Sequence, residues 1–258
     1  MSDFDQPAGH DSGWFGCQTE AGKLAIVEAP FDATSSHGRV AAQGPAAMRS
    51  ASHQVELTLV DGRCPAASSI QVESLDLAAL NKEAAQVMDR LRQTGAQTES
   101  LAQRVDQLAG QVDDELRQKL ESLWAEDIGT VVLGGDHGAV FAGMDSAARR
   151  FNDLGVLQID AHADLRPAYE GVHASHASVM HRLISEHPRL PLVQVGLRDL
   201  GAQERQRIDD EPSITAFFDE ALVQQKFLGM PWAEQARAII ETLPAQVWIS
   251  LDIDGLDP

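Results

Sequence analysis

Two rhythms of apolar positions run through this chain. Short apolar runs at 24–27, 55–59, 130–133, 155–159, 192–195 and 247–251 are bounded by Gly, Pro or Asp, and several are β-branched. Runs of that length and make-up predict strands of a buried parallel sheet. Helix-compatible stretches lie between them at 139–151, 176–186, 202–209 and 232–243, the last ahead of Pro244. A further helix start is expected over 43–52, entered through Gly44-Pro45, with Pro in the first turn. Strand and helix alternating over such a length predict an α/β fold, a mainly parallel sheet covered on both faces.

One stretch keeps another period. From Leu77 to Val112, positions 77, 80, 84, 87, 91, 94, 98, 101, 105, 108 and 112 step by three and four, reading Leu, Leu, Ala, Val, Leu, Thr, Thr, Leu, Val, Leu, Val. That is a heptad seam. Two Thr flank Gly95, where the seam is weakest, so a hairpin turning there and one long helix both fit. Leu116, Leu120, Leu123 and Trp124 continue the helical pattern. A helical insertion over about 75–125 is therefore expected, packed on its own sheet in preference to serving as an oligomerisation arm.

Composition narrows the class. With 20 Lys+Arg against 39 Asp+Glu, the 258 residues carry a formal charge of −19, a poor balance for nucleic acid, whose phosphates call for clustered cations. The 43% hydrophobic and 23% charged residues are ordinary for a globular protein. No apolar run reaches the roughly 20 residues of a membrane span. Residues 1–20 are expected to form a loose N-terminal arm, with 21–258 as one domain; the polar, acidic start shows no secretory signal. Cys17 and Cys64 make no disulfide framework. The expected location is the cytoplasm.

Chemistry concentrates at three strand ends. Leu133-Gly134-Gly135-Asp136-His137, Ile159-Asp160-Ala161-His162-Ala163-Asp164 and Ser250-Leu251-Asp252-Ile253-Asp254 each run from an apolar strand into metal-ligand residue types. Ligands gather beyond the carboxyl ends of parallel strands, so three such ends can share one crevice. The candidates are His137, Asp160, His162, Asp164, Asp252 and Asp254. Asp160, His162 and Asp164 lie at i, i+2 and i+4, which in an extended segment puts all three on one side. Two imidazoles and four carboxylates exceed the needs of one ion and suit a bridged pair about 3.5–4 Å apart. Oxygen-rich ligation without thiolates favours two Mn²⁺ ions over a structural zinc. Four neighbouring aspartates without cations would repel strongly. Each motif alone is weak; an Asp-Gly such as Asp254-Gly255 is usually a turn.

These residues resemble a known family. Gly134-Gly135-Asp136-His137, Asp160-Ala161-His162-Ala163-Asp164 and Ser250-Leu251-Asp252-Ile253-Asp254-Gly255-Leu256-Asp257-Pro258 are similar to the three signatures of the ureohydrolases, which include arginase, agmatinase, guanidinobutyrase and formimidoylglutamase. Ala29-Pro30-Phe31-Asp32, Gly44-Pro45 and Met48-Arg49 extend the resemblance to about residue 24. It implies a three-layer α/β/α fold, a bridged dimanganese centre and a homo-oligomer, commonly a trimer or hexamer. The stretch from Asp164 to Gly171, leading to Ser175-His176-Ala177-Ser178-Val179-Met180, looks most like agmatinases, which implies agmatine, a small cationic guanidino compound, as substrate. Other linear guanidino compounds are the second choice.

The mechanism expected from that chemistry needs a strong nucleophile, because a guanidinium carbon is a poor electrophile. A hydroxide bridging two metal ions would supply it, and His176 would shuttle the proton to the leaving amine. His173 is the alternative shuttle, and Asp136 is expected to orient a metal ligand from behind. His37, His53, His181 and His187 read as surface or packing residues, and Trp14, Trp124, Trp232 and Trp248 as core or interface. Ureohydrolases continue past the third motif with more strand and helix and an acidic residue, usually Glu, that engages the guanidinium. This sequence stops at Pro258, so the expectation is a longer enzyme. The alternative is a truncated, non-catalytic interaction protein built on the heptad segment.

Overall fold

The computed structural model describes residues 13–16, 22–36, 38–55, 70–94 and 99–256. Its strands are β1 (Leu24–Ala29), β2 (Ile70–Ser74), β3 (Gly129–Gly134), β4 (Leu154–Ile159), β5 (Leu192–Leu197), β6 (Ile214–Phe218) and β7 (Gln246–Leu251). All pairings between these strands are parallel, in the orders β2-β1-β3 and β6-β5-β4-β7. The central strands are the most apolar: Ala25, Val27 and Ala29 of β1 and Val156 of β4 are fully buried.

The helices are α1 (Gly44–Ser52), α2 (Ala78–Thr94), α3 (Glu99–Ala125), α4 (Phe141–Arg150), α5 (Val179–Glu186), α6 (Ala202–Asp210), α7 (Asp219–Phe227) and α8 (Trp232–Ile240). Helix α4 ties the two groups of strands together. Its Phe141, Met144 and Ala147 pack with β4 and β5, while Ala142 packs with β1. Gly143 lies between: a Cβ there would come within 2.9 Å of the Trp248 ring on β7 and 3.6 Å of Val132 on β3.

The heptad segment is a pair of helices, α2 and α3, the expected turn at Gly95 lying outside the described residues. Val87, Met88 and Leu91 of α2 meet Ala102 and Val105 of α3. Farther along α3, Leu108 and Val112 join Ala29 and Phe31, and Leu116, Leu120 and Leu123 join Ala25 and Val27. The seam thus serves the molecule's own core.

Edge strands and helix starts depart from the sequence pattern. The strand expected at 55–59 lies, apart from the exposed Val55, outside the described residues. Strand β2 alternates as Ile70-Gln71-Val72-Glu73-Ser74 at a sheet edge and stays half-buried, so it lacks the continuous apolar run of a central strand. Strand β6 edges the second group of strands, and α7 after it buries no side chain, so α7 gives no strong periodic signal. The helices expected from 139 and 176 each begin as a 3-10 turn, at His137–Val140 and His176–Ser178. Of the tryptophans read as core or interface, Trp14 is buried and Trp232 is exposed. Among the described residues, no helix is long and apolar enough to cross a membrane.

Candidate metal centre

Backbone contacts bring the strand ends together. The β3 exit is stitched to the β1 exit by Gly135 N–H to Ala29 O at 3.1 Å and Asp136 N–H to Phe31 O at 2.9 Å. The approach is so close that a Cβ at Gly135 would lie 2.1 Å from the Phe31 carbonyl oxygen. Ile159 and Leu251 are register partners at the ends of β4 and β7. The next residues therefore emerge side by side, and Asp252 N–H donates to Ile159 O at 2.9 Å.

On that platform the six sequence-predicted ligands converge. The Nδ1 atom of His137 lies 2.8 Å from a carboxylate oxygen of Asp164, 3.1 Å from Asp160 and 3.7 Å from Asp252. The Nδ1 atom of His162 lies 3.0 Å from Asp254 and 3.7 Å from Asp160. Among the described residues, two groups have donor atoms within 4.8 Å of one another, His137–Asp160–Asp252 and Asp160–His162–Asp254, and Asp160 is common to both. The 160–164 segment reaches this geometry by turning, with Asp164 in the left-handed region at φ 53°, rather than by staying extended.

The donor set fits a pair of cations. His137 Nδ1 is buried with no aligned hydrogen-bond acceptor, although three carboxylates surround it. Its other nitrogen, Nε2, is 2.8 Å from Ser250 Oγ, the outer hydrogen bond that orients a metal-binding imidazole. With protons alone to balance it, the cluster titrates abnormally. Burial pushes the Asp164 carboxyl up to about 7, with Asp160 and Asp252 adding to it against the pull of His137. The neighbouring Asp160 carboxylate, with Asp254 adding to it against burial, raises His162 to about 9. Burial opposes charge on His137, yet the neighbouring carboxylates of Asp160 and Asp164 lift it well above the ordinary histidine value. Burial also raises Asp254, with Asp252 adding to it. For Asp160 burial is outweighed by His137 and His162, which hold it below the usual carboxylate range.

Beneath the cluster runs a polar row that the apolar patterning concealed. Ser250, Gln158 and Gln194 are register neighbours across β7, β4 and β5. Gln158 Nε2 donates to Asp160 at 2.7 Å and to the His162 carbonyl at 3.2 Å, while Gln194 Nε2 donates to Gln158 Oε1 at 2.6 Å. The available signal was a lone polar residue inside each of three apolar strands.

His176 sits in a 3-10 turn whose cap is Ser175, the hydroxyl accepting the Ala177 amide. Burial lowers its basicity below the ordinary histidine value. Thr34 Oγ1 lies 3.4 Å from Nδ1, Ser36 Oγ lies 3.0 Å from Nε2, and the Tyr169 ring stands edge-on at 5.5 Å. His173 is exposed, its ring 3.6 Å from Asp106 rather than among the ligand candidates. Asp136 corrects an expectation: its carboxylate is bonded to Thr34, not to a candidate ligand, because Thr34 offers both its amide at 3.1 Å and its hydroxyl at 2.7 Å. Burial pushes Asp136 up to about 6.

The α2–α3 pair braces the loops around His176. Asn81 exchanges hydrogen bonds with Asp32, and Arg92 donates to Glu170 and to the Ser35 carbonyl, each at 2.9 Å. Asp106 accepts the amides of His173 and Ala174 at 2.9 and 2.8 Å. Of the other histidines, His53 contacts Gly13 O, His181 contacts Arg207, and His187 contacts Asp145. His37 lies outside the described residues.

Fold and donor cluster together define a parallel α/β scaffold with two candidate cation-binding groups at its strand ends. The arginase family model matches residues 22–258, and the chain belongs to the arginase family. It is accordingly a ureohydrolase, an enzyme acting on C–N bonds of guanidino compounds. An N(1)-aminopropylagmatine ureohydrolase of Thermus thermophilus is 28% identical over 93% of this chain and 70% of its own length. The agmatine ureohydrolase structure from Thermoplasma volcanium superposes with a TM-score of 0.70 at 19% identity, covering 92% of this chain and 69% of that one. Formimidoylglutamase from Bacillus subtilis gives the same TM-score at 16% identity, over 100% of this chain and 75% of that one; at these identities the structures share the fold.

Proposed function

We propose that this protein hydrolyses agmatine to putrescine and urea. The observation that carries the reading is the pair of three-residue donor groups sharing Asp160, with His176 as the nearby proton carrier, its basicity lowered by burial. His137, Asp160, Asp164 and Asp252 would hold one ion, and Asp160, His162 and Asp254 the second. Carboxylate and imidazole donors without thiolates favour manganese. Bound there, the ions would lower the pKa of a water molecule toward neutrality and so supply the nucleophile.

The chain's own residues do the rest. Ser250 and Gln158 hold His137 and Asp160 in orientation. His176, kept neutral by burial, has a free base on its ring and can carry a proton to the departing amine. The formal charge of −19 draws cationic substrates toward the protein. A cytoplasmic place in polyamine formation and a trimeric or hexameric assembly complete the reading; the exposed Phe227, Leu228 and Trp232 at and beyond α7 and on α8 support a covered face.

A second reading takes N(1)-aminopropylagmatine as substrate, favoured by the name of the Thermus relative. Urea release by the manganese-loaded, full-length natural protein, measured in parallel on agmatine, aminopropylagmatine, arginine and guanidinobutyrate, decides between them. Agmatine should give the highest kcat/KM. Preference for any other of the four overturns the agmatine assignment.

A further inference from the structure

We propose that Thr34 is a positioning residue that sets the tautomer of His176, using Asp136 as its anchor. The inference rests on the reading of His176 as the proton carrier and deepens it. Three contacts converge on one oxygen. Thr34 Oγ1 is 2.7 Å from Asp136 Oδ2, accepts the His176 backbone N–H at 3.0 Å, and lies 3.4 Å from His176 Nδ1.

The direction of the chain of hydrogen bonds follows from donor counting. Asp136 Oδ2 also accepts the Thr34 amide at 3.1 Å, so it faces Thr34 as an acceptor. A threonine hydroxyl has one hydrogen and two lone pairs. The hydrogen goes to Asp136, one lone pair receives the His176 amide, and only the second lone pair is left to face Nδ1. A lone pair opposite a bare ring nitrogen repels, whereas opposite an N–H it attracts. Thr34 therefore favours a proton on Nδ1 and leaves Nε2 as the base, the nitrogen 3.0 Å from Ser36 Oγ.

Ser175 does not make this choice. Its Oγ lies 3.3 Å from Nδ1 and accepts the Ala177 amide, but its own hydrogen rotates freely enough to suit either tautomer. Thr34 differs because both of its neighbours, a carboxylate and a backbone amide, fix which way its hydrogen points. Thr34 and Asp136 are buried, so water does not substitute for either partner.

The test reads the ring directly. Protein labelled with ¹⁵N-histidine and loaded with diamagnetic Mg²⁺ is compared as wild type, Thr34→Val, Thr34→Ser and Ser175→Ala, with His176→Asn to assign the signals. Wild type, Thr34→Ser and Ser175→Ala should show His176 mainly with the proton on Nδ1, and Thr34→Val should move population to the Nε2-protonated form. A wild-type ring protonated on Nε2, or a Thr34→Val spectrum with the wild-type tautomer ratio, overturns the proposal. In the full-length manganese enzyme, Thr34→Val should lower kcat by about tenfold or more, the scale at which orienting partners act, with KM little changed and Thr34→Ser restoring it. Spectra and turnover separate the two readings. A tautomer shift in a protein inactive on every guanidino compound removes the catalytic reading while the orienting contact stands; an active enzyme with no shift removes the Thr34 assignment alone.

Discussion

At the scale of single residues, Asp160 carries the most. It belongs to both donor groups, so Asp160→Ala should empty both cation positions, whereas Asp254→Ala should leave one ion in place. Elemental analysis after manganese loading and desalting reads the difference; equal retention by the two variants would contradict the sharing. His176→Asn should keep both ions and lose about a hundredfold or more in kcat, the usual range for a general acid–base group. Protonation adds a pH dependence. Before metal binds, His162 titrates at about 9 and Asp164 at about 7, so at neutral pH the cluster holds protons that ligation must expel. Manganese affinity should therefore rise with pH from 6 to 9, with protons released; calorimetry in buffers of different ionisation enthalpy measures that release. All six ligand candidates were legible because each follows an apolar run within a few residues. Thr34 and Ser36 were not, since a hydroxyl in a loop carries no signal until the fold brings His176 across more than a hundred positions to meet it.

Among the elements, the α2–α3 pair connects packing to chemistry. Its seam fills the core with Leu108 and Val112, and its polar face holds the loops carrying Asp32, Ser35, Glu170 and His173. Leu108→Ala should cost about 3 kcal/mol, within the range for deleting a fully buried leucine, read from denaturant unfolding. Asp106→Ala frees the amides of His173 and Ala174 and should cut kcat while metal content stays unchanged. The period of three and four announced these helices, because burial of one stripe imposes it. It did not announce their second role, since Asn81, Arg92 and Asp106 on an exposed-looking face are indistinguishable in sequence from solvated charges. Edge strand β2 escaped for the converse reason: half-burial leaves it only Ile70 and Val72 as apolar positions, too few to mark a strand, whereas β6 carries an apolar run of its own, Ile214-Thr215-Ala216-Phe217-Phe218.

For the whole molecule, the open edges of β3 and β7 matter. Neither pairs with a further strand among the described residues, and on β7 Ile249 and Leu251 are 64% and 61% exposed. An unpaired edge with apolar neighbours promotes association. The 258-residue chain on its own should self-associate, and Ile249→Lys with Leu251→Lys should reduce that without changing far-ultraviolet circular dichroism; light scattering follows the outcome. A monodisperse wild-type monomer would show that these side chains are not sticky.

What the sequence determined by itself was the alphabet of the site and the layers around it. Strand-length apolar runs, a heptad seam and acidic residues after strand ends are local patterns, written by burial and by the short reach of the backbone. The tertiary structure decided which of those residues meet. Register between β4 and β7 sets Asp160 beside Asp252, the Gly135–Phe31 approach carries His137 to them, and the loop braced by α2 and α3 delivers His176 to Thr34. Such meetings depend on non-local packing and hydrogen-bond geometry, which no window along the chain contains.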